Sequence, residues 1–179
     1  HARIFNQYSI DLKFINSDKQ ENTLSKELKG VDGIIVPIGW GERGTSGKIK
    51  AIRYARVNKI PYLGLCYGMQ LACVEFARNV LNIKDANSEE IDPKTKNPII
   101  HSIPFNEKYQ VIKGKGTSMR LGTFDCVLKK DTLTYKIYNE HNFFADKSKQ
   151  LIRERHRHRY EFNNSYRELR SEERRVGKE

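Results

Sequence analysis

The sequence lacks the long hydrophobic run of a membrane protein and the cysteine framework of a secreted one. None of its apolar runs approaches the roughly 20 residues that a membrane-spanning helix needs. The opening residues, HARIF, contain neither an initiator methionine nor the layout of a signal peptide, which suggests a piece cut from a longer chain. The three cysteines cannot all pair with one another and none has CxxC spacing, so we expect a cytoplasmic protein with no membrane attachment.

Internal repeats and low-complexity linkers are also missing, which argues against a repeat array or a disordered tether. Charged residues make up 31% and apolar residues 37% of the 179 positions, a balance typical of one globular domain. We therefore expect a single domain rather than several.

The charge is unbalanced, with a net value of +11. Residues 147–159 contain six basic residues and a single acid, Glu154. A basic segment of this kind can bind nucleic acid, an anionic small substrate or an acidic partner surface. The neighbouring aromatic residues, Tyr160 and Phe162, form no extended stacking platform, so we expect no nucleic-acid partner.

The first half alternates strand and helix patterns. Residues 33–37 form a short apolar run that ends at a proline, and a glycine-rich loop follows over residues 39–47. Helical spacing then continues to about Val57, and residues 60–65 predict a second buried strand. Strand, helix and strand in this order predict a right-handed βαβ unit of a doubly wound α/β sheet, with ligands at the carboxyl ends of the strands.

From Asp92 onward, the alternation of strand and helix patterns gives way to turns and short strand candidates. Two Pro-containing turn signals are followed by short strand candidates at residues 99–103, 109–113, 123–128 and 151–162. We interpret this half as β-rich additions to the α/β core.

The sharpest local feature is the segment GLCYGMQ at residues 64–70, between a predicted strand and a predicted helix. A nucleophile with glycines two positions to either side is typical of the nucleophile elbow, here with Cys66 in place of serine. The helix N-terminus would favour the thiolate, and its free N–H groups could stabilise an oxyanion. Cys73 and Cys126 have no such setting, so we expect both to be buried structural thiols, and Met69 and Phe76 to face the core.

Residues 61–70 (PYLGLCYGMQ) resemble the nucleophile segment of class I glutamine amidotransferases, which release ammonia from glutamine through a glutamyl thioester. Further stretches resemble the CTP synthase branch of that family, of which the arginine-histidine run is a hallmark. They are residues 39–44 (GWGERG), 85–90 (DANSEE), 119–122 (MRLG) and 154–163 (ERHRHRYEFN). The resemblance implies a flavodoxin-like class I glutamine amidotransferase fold.

Carried over position by position, the resemblance makes Cys66 the catalytic nucleophile. The backbone N–H groups of Gly39 and Tyr67 would form the oxyanion hole. A buried acid such as Glu90 suits the ammonium group of glutamine, and a guanidinium such as Arg159 suits its carboxylate. The residues that would bind L-glutamine are Gly39, Tyr67, Gly68, Met69, Gln70, Glu90 and Arg159.

The resemblance also implies a larger parent enzyme, a ligase of pyrimidine nucleotide biosynthesis. An N-terminal synthetase domain would use ATP and Mg²⁺ to aminate UTP to CTP with the ammonia released here, and the parent would form a homo-oligomer. The 179 residues themselves would hold no cofactor and no metal. We expect residues 1–169 to be a partial amidotransferase domain and residues 170–179 to be a charged, non-native tail.

Two departures from the family bear on activity. Pro37 is followed by Ile38 where the family has glycine, and a β-branched residue disfavours positive φ, so the oxyanion hole could be weakened. The family's catalytic histidine and its carboxylate lie in a His-Pro-Glu segment, and no proline follows Pro104 here. We therefore assign no catalytic histidine and expect the chain by itself to be inactive.

Two alternatives stay open. The chain could be another class I amidotransferase, such as those of GMP or anthranilate synthesis, although these should lack the arginine-histidine run. It could also be a non-catalytic binding or regulatory module of the same fold.

Overall fold

A computed structural model describes residues 2–18, 21–104, 110–111 and 118–168 of the chain. The chain divides into two compact units, the first formed by His1–Ile99 with Asn164–Glu179 and the second by Ile100–Asn163. The predicted tail, residues 170–179, lies outside the described residues, as does most of the strand predicted at 109–113.

The first unit is built around the predicted βαβ motif. Its elements are α1 (Ala2–Asn6), α2 (Glu21–Glu27), β1 (Ile34–Val36), α3 (Thr45–Val57), β2 (Tyr62–Gly64), α4 (Tyr67–Asn79), β3 (Ala86–Ser88), the start of β4 (Asn97–Ser102), and a short 3-10 helix (Asn164–Tyr166). Strands β1 and β2 are parallel, with Ile35 opposite Leu63. The predicted strand-helix-strand-helix order is therefore confirmed.

Local sequence explains where the two central helices begin. Gly44 precedes α3 with a φ of 69°, a left-handed conformation that glycine adopts without strain. Strand β2 ends at Gly64, and helix α4 begins directly after Cys66. This short connection brings the start of α4 to the carboxyl end of the parallel strands.

The core of the first unit lies between the helices and one face of the sheet. In β1, Ile34 and Val36 are buried while Ile35 between them is exposed, so the strand presents one face to the core. The other residues buried in this cluster are Leu24, Leu28, Ala51, Ile52, Ala55, Tyr67 and Leu71.

Helices α3 and α4 are also joined by a buried ion pair. The guanidinium of Arg56 donates to both carboxylate oxygens of Glu75, at distances of 2.8 to 3.2 Å. The Glu75 side chain is 1% exposed, and the amide of Asn79 donates to it at 3.1 Å. The carboxylate is therefore fully partnered despite its burial, as a buried charge requires.

The second unit is mainly antiparallel sheet. It contains the end of β4, β5 (Gln110–Val111), β6 (Ser118–Val127), α5 (Leu133–Glu140), β7 (Leu151–His158) and β8 (Tyr160–Phe162). Strand β6 pairs with β5 and β7, and the end of β4 pairs with β8. The predicted β-rich half is confirmed, but the strand predicted at 151–162 is interrupted by a bend at Arg159.

Within the residues that the structure describes, no helix is both long and apolar enough to cross a membrane.

Candidate functional site

Cys66 occupies the sharp turn between β2 and α4. Its backbone has φ 52° and ψ −102°, a region that non-glycine residues rarely adopt. On either side the chain is fixed, because Leu65 N–H donates to Val36 O at 3.0 Å and Gln70 N–H donates to Cys66 O at 3.1 Å. The predicted strand-to-helix turn at Cys66 is confirmed, and a strained backbone conformation of this kind costs about 1–3 kcal/mol.

The two glycines of the motif are required by close backbone approach. A Cβ added to Gly68 would lie 2.1 Å from Val36 O, and one added to Gly64 would lie 2.6 Å from Met69 N. Both distances are far below van der Waals contact, so any side chain at these positions would push α4 away from the strands. The glycine spacing seen in the sequence is therefore what allows the turn.

The Cys66 thiol is exposed, yet its pKa is raised above the ordinary value. Desolvation by the surrounding protein is the largest cause, and the nearby Glu90 carboxylate adds to it. A hydrogen bond from Tyr67 N–H to the sulfur opposes both. As expected, the N–H group at the start of α4 favours the thiolate, but burial and Glu90 outweigh it and the pKa of Cys66 is raised overall.

Gly39 lies against the first residue of α4. A Cβ on Gly39 would be 3.2 Å from Cδ1 of Tyr67 and 3.6 Å from Nζ of Lys48. Ile38 is 67% exposed and does not have a positive φ. The backbone conformation that β-branched residues disfavour is therefore not used at Ile38 in this structure.

Glu90 is fixed close to the same loop. Its Oε1 accepts a hydrogen bond from Gly41 N–H at 3.1 Å, and its own N–H donates to Ser88 Oγ at 3.2 Å. The side chain is half-buried, and its charge acts on the thiol of Cys66. The structure therefore brings Glu90 to the elbow, although 24 positions separate the two residues along the chain.

The remaining predicted residues of the elbow differ in exposure. Gln70 and Gly68 are buried, whereas Met69, which we expected to face the core, is 43% exposed. The sulfur of Met69 lies 3.7 Å from Cys73 Sγ. Met69 is on the exposed side of the first helical turn, since only one side of that turn faces the sheet.

Two cysteines were expected to be buried, and only one is. Cys73 is buried in α4, as predicted, but Cys126 on β6 is exposed. Cys126 stands opposite Ile152 in the β6–β7 register. Apolar and polar residues do not alternate clearly near this end of β6, so the exposure of Cys126 could not be predicted.

Arg159 belongs to the second unit, at the exposed bend between β7 and β8. Its carbonyl accepts a hydrogen bond from Ile103 N–H at 2.9 Å. Along β7 the side chains alternate, so Arg153, Arg155 and Arg157 are exposed on one face. A role of Arg159 in holding a substrate carboxylate stays a prediction.

Two of the five histidines form a pair on the other face of β7. His156 Nδ1 lies 2.9 Å from His158 Nε2, and His158 Nδ1 lies 2.8 Å from Tyr160 O. Burial lowers the pKa of both, and the charge of Arg120 on β6 lowers it further.

A cavity of about 410 Å³ opens beside the loop that contains Gly39. Its lining comes from residues 16–18, from the loop and from the first turns of α3. The loop and helix residues are Ile38, Gly39, Trp40, Arg43, Gly44 and Lys48. Among the described residues, no cluster of three or more His, Cys, Asp or Glu side chains is arranged to hold a metal ion.

The amino-acid sequence matches the model of a known protein family. The model described as "Glutamine amidotransferase class-I" matches residues 2–176. The chain is 48% identical over 170 residues to a CTP synthase of Caldanaerobacter subterraneus, covering 94% of this chain and 29% of that protein. It is 46% identical over 166 residues to a CTP synthase of Pyrococcus furiosus, covering 93% of this chain and 29% of that protein.

A solved structure is also similar. It is described as the glutaminase domain of a Trypanosoma brucei CTPS with bound acivicin. The TM-score is 0.81 at 35% sequence identity, with 96% of this chain and 62% of that chain covered. The chain thus spans less than a third of the length of the CTP synthases that it matches.

Proposed function

The chain belongs to the class-I glutamine amidotransferase family, and we propose that it is the glutamine-hydrolysing part of a CTP synthase. One observation carries the proposal: a cysteine is held in a strained conformation at the N-terminus of α4, between two glycines that allow the turn. Strain at a solvent-accessible nucleophile is typical of a catalytic elbow rather than of a structural thiol.

In the proposed reaction, Cys66 Sγ attacks the side-chain amide carbon of glutamine. A carbon–sulfur bond forms, the carbon–nitrogen bond breaks, and the nitrogen leaves with an added proton as ammonia. Water then cleaves the thioester to give glutamate and the free thiol. Because the pKa of Cys66 is raised, the thiol is mostly protonated at neutral pH, so the reaction needs a base to accept its proton.

Binding of glutamine would use two charged side chains, those of Glu90 and Arg159. The Glu90 carboxylate suits the substrate ammonium, and its Oε2 has no hydrogen-bond partner within the part of the chain that the structure describes. The Arg159 guanidinium suits the substrate carboxylate. The N–H groups of Gly39 and Tyr67 would stabilise the oxyanion, and Gly68, Met69 and Gln70 would complete the site.

The parent enzyme of this proposal would carry out the rest of the reaction elsewhere. A synthetase domain of the same parent chain would use ATP and Mg²⁺ to aminate UTP, and ammonia would pass to it from Cys66. A cytoplasmic location and a homo-oligomeric parent also belong to this proposal.

The test is covalent trapping of Cys66 by acivicin, measured by intact mass and peptide mapping. We expect one adduct on Cys66, slowed by added glutamine, and none in Cys66→Ser. Cys126→Ser is the matched control, because Cys126 is an equally free, exposed thiol outside the elbow. A chain whose Cys66 reacts with iodoacetamide but never with acivicin would instead be a non-catalytic module of the same fold.

A further inference from the structure

Gly41 in the loop after β1 is held from both sides. Its N–H donates to the Glu90 carboxylate at 3.1 Å, and its carbonyl accepts a hydrogen bond from the Tyr67 hydroxyl. Gly41 has a φ of 72°, and a Cβ built on it would meet nothing within 4 Å. The conformation of this peptide is therefore maintained by hydrogen bonds and not by packing around Gly41 itself.

Tyr67 reaches the loop from the first turn of α4. The residue is 1% exposed, and its ring edge lies directly beneath Gly39. Its hydroxyl lies 3.0 Å from the hydroxyl of Thr45, which in turn is 3.3 Å from the same Gly41 carbonyl. One buried side chain thus supports two loop residues, Gly39 by ring contact and Gly41 by a hydrogen bond.

The main chain of Tyr67 has a different partner. It follows Cys66 directly at the point where α4 begins, and its N–H group acts to lower the pKa of the Cys66 thiol. The backbone of this residue is tied to the nucleophile while its side chain is tied to the loop, so any displacement of the loop changes the separation of Gly39 from Cys66.

From this geometry we propose that the Tyr67 hydroxyl is a positioning group, which sets the distance between the Gly39 N–H and the Cys66 sulfur. The inference rests on the proposed function, since Gly39 matters only if an oxyanion forms at Cys66. The hydroxyl itself touches no reacting atom and acts through Gly41. Oxyanion donors must lie 2.7–3.1 Å from the developing charge, so a shift of a few tenths of an ångström in the loop reduces the rate.

Burial makes the phenol suitable for this role. Desolvation is the main cause that raises the pKa of Tyr67, and the charges of Glu90 and Glu42 act in the same direction. The hydroxyl therefore stays protonated and keeps donating to Gly41 across the working pH range. When it is removed, the Gly41 carbonyl retains only the longer contact with Thr45.

The experiment measures a single acylation of Cys66 with the γ-(4-nitrophenyl) ester of glutamate. The sulfur bonds to the ester carbonyl carbon, 4-nitrophenolate leaves with the bonding electrons, and the thiol proton goes to buffer. Because 4-nitrophenolate needs no proton to leave, the burst of colour reports acylation without a general acid. Iodoacetamide alkylation is measured beside it, since that reaction forms no oxyanion.

We expect Tyr67→Phe to lower the acylation rate at saturating ester about 10-fold, less than the 10²–10³-fold typical for complete loss of a donor. Its half-saturating ester concentration and its iodoacetamide rate should change less than twofold. Thr45→Val should show a smaller loss of the same kind, because the Thr45 hydroxyl is the longer contact to Gly41.

Tyr62→Phe is the matched control for a buried hydroxyl. Tyr62 also donates to a backbone carbonyl near the elbow, Gly68 O at 2.8 Å, but it does not reach the loop. We expect Tyr62→Phe to lose about as much stability as Tyr67→Phe. Its ratio of acylation rate to alkylation rate should stay that of the wild-type chain. If Tyr67→Phe keeps that ratio while the wild-type chain is acylated, the positioning role is overturned alone. A wild-type chain that alkylates but is not acylated overturns the proposed function, and this proposal with it.

Discussion

Cys66 shows at the scale of one residue how reactivity and stability oppose each other. Its φ of 52° suits glycine, and a side chain there is tolerated only because the flanking backbone is fixed by β1 and α4. The thiol also sits where burial and Glu90 disfavour its charged form. The strained conformation does not stabilise the fold, and it is the feature that the proposed role of Cys66 explains.

Replacing Cys66 by glycine should therefore stabilise the chain relative to alanine. We expect Cys66→Gly to unfold in urea at a free energy about 1 kcal/mol higher than Cys66→Ala, since only alanine retains the positive-φ strain. At Cys73, in the interior of α4, the order should be reversed. There Cys73→Gly should have a free energy of unfolding about 1 kcal/mol lower than that of Cys73→Ala. Equal ranking at the two positions would mean that Cys66 is not strained.

The elbow could be predicted from sequence because its determinants lie within seven residues. Glycines at 64 and 68 and an apolar strand before them fix the turn locally. The hydrogen bond between Gly41 and Glu90 spans 49 residues, and that between Tyr67 and Gly41 spans 26, so no local pattern reports them. A tyrosine directly after the nucleophile was the only available signal, and its hydroxyl gave no indication of a partner.

At the scale of elements, α3 and α4 depend on a contact that the sequence did not reveal. The Glu75 carboxylate is 1% exposed, and the two elements meet through Arg56, 19 residues away. From the sequence alone, Arg56 and Glu75 cannot be distinguished from charged residues on the protein surface. Burial of the carboxylate makes its partner more important than an ordinary surface ion pair.

Removing Arg56 alone should be costly. We expect Arg56→Met to lower the free energy of unfolding by about 2 kcal/mol, below the 3–5 kcal/mol of a fully buried pair because Arg56 remains partly exposed. Arg56→Met combined with Glu75→Met should recover part of this loss, since no charge is left buried. The exposed pair of Arg153 and Asp125 is the control, and Arg153→Met should cost less than about 0.5 kcal/mol in urea unfolding.

The strand β7 shows both what periodicity predicts and where it fails. Alternation from Leu151 to His158 follows the sequence pattern, with the arginines exposed and the histidines half-buried on the other face. The bend at Arg159 breaks that pattern, because Ile103 N–H pairs with its carbonyl as the chain passes into β8. The pairing partner is distant in sequence, so the interruption could not be predicted.

The histidine pair should make stability depend on pH. In the folded chain, the pKa values of His156 and His158 lie below the ordinary histidine pKa of 6.5. As the pH falls below 6.5, these histidines therefore bind more protons in the unfolded chain than in the folded chain. The contribution of the two neutral histidines to the free energy of unfolding is fully present above pH 6.5. It is progressively lost as the pH falls toward the lowered pKa values. Groups facing the pair are Arg120, Phe124, Glu154, Tyr160 and Glu161.

Urea unfolding at pH 7.5 and 5.5 measures this effect. Relative to the wild-type chain, the variant carrying His156→Gln and His158→Gln should lose less stability between the two pH values. His141→Gln should retain the wild-type difference, because His141 is an exposed residue at the end of α5. A double variant with an undiminished pH dependence would show that other groups cause it.

At the scale of the whole molecule, the chain presents a proposed nucleophile, Cys66, without an assigned base. The elbow, the loop of Gly41 and Glu90 all belong to the first unit, whereas His156 and His158 pair with each other and with Tyr160 in the second. The raised pKa of Cys66 makes the need for a base greater, since burial and Glu90 disfavour ionisation of the thiol. The CTP synthases that the chain matches are more than three times as long as the part that it covers.

The 179-residue chain should therefore bind and react at Cys66 but turn over glutamine negligibly. Acylation by an activated ester requires only the nucleophile and the oxyanion donors, whereas release of ammonia requires a proton to be delivered to the leaving nitrogen. Loss of a general acid or base typically lowers a rate by about 10²–10⁴-fold, and by more where it acts with the nucleophile as one unit. Ammonia release should be compared between this chain and a version extended through a His-Pro-Glu segment. We expect the extended version to be at least about 10²-fold faster, and comparable rates would mean that a histidine already present acts as the base.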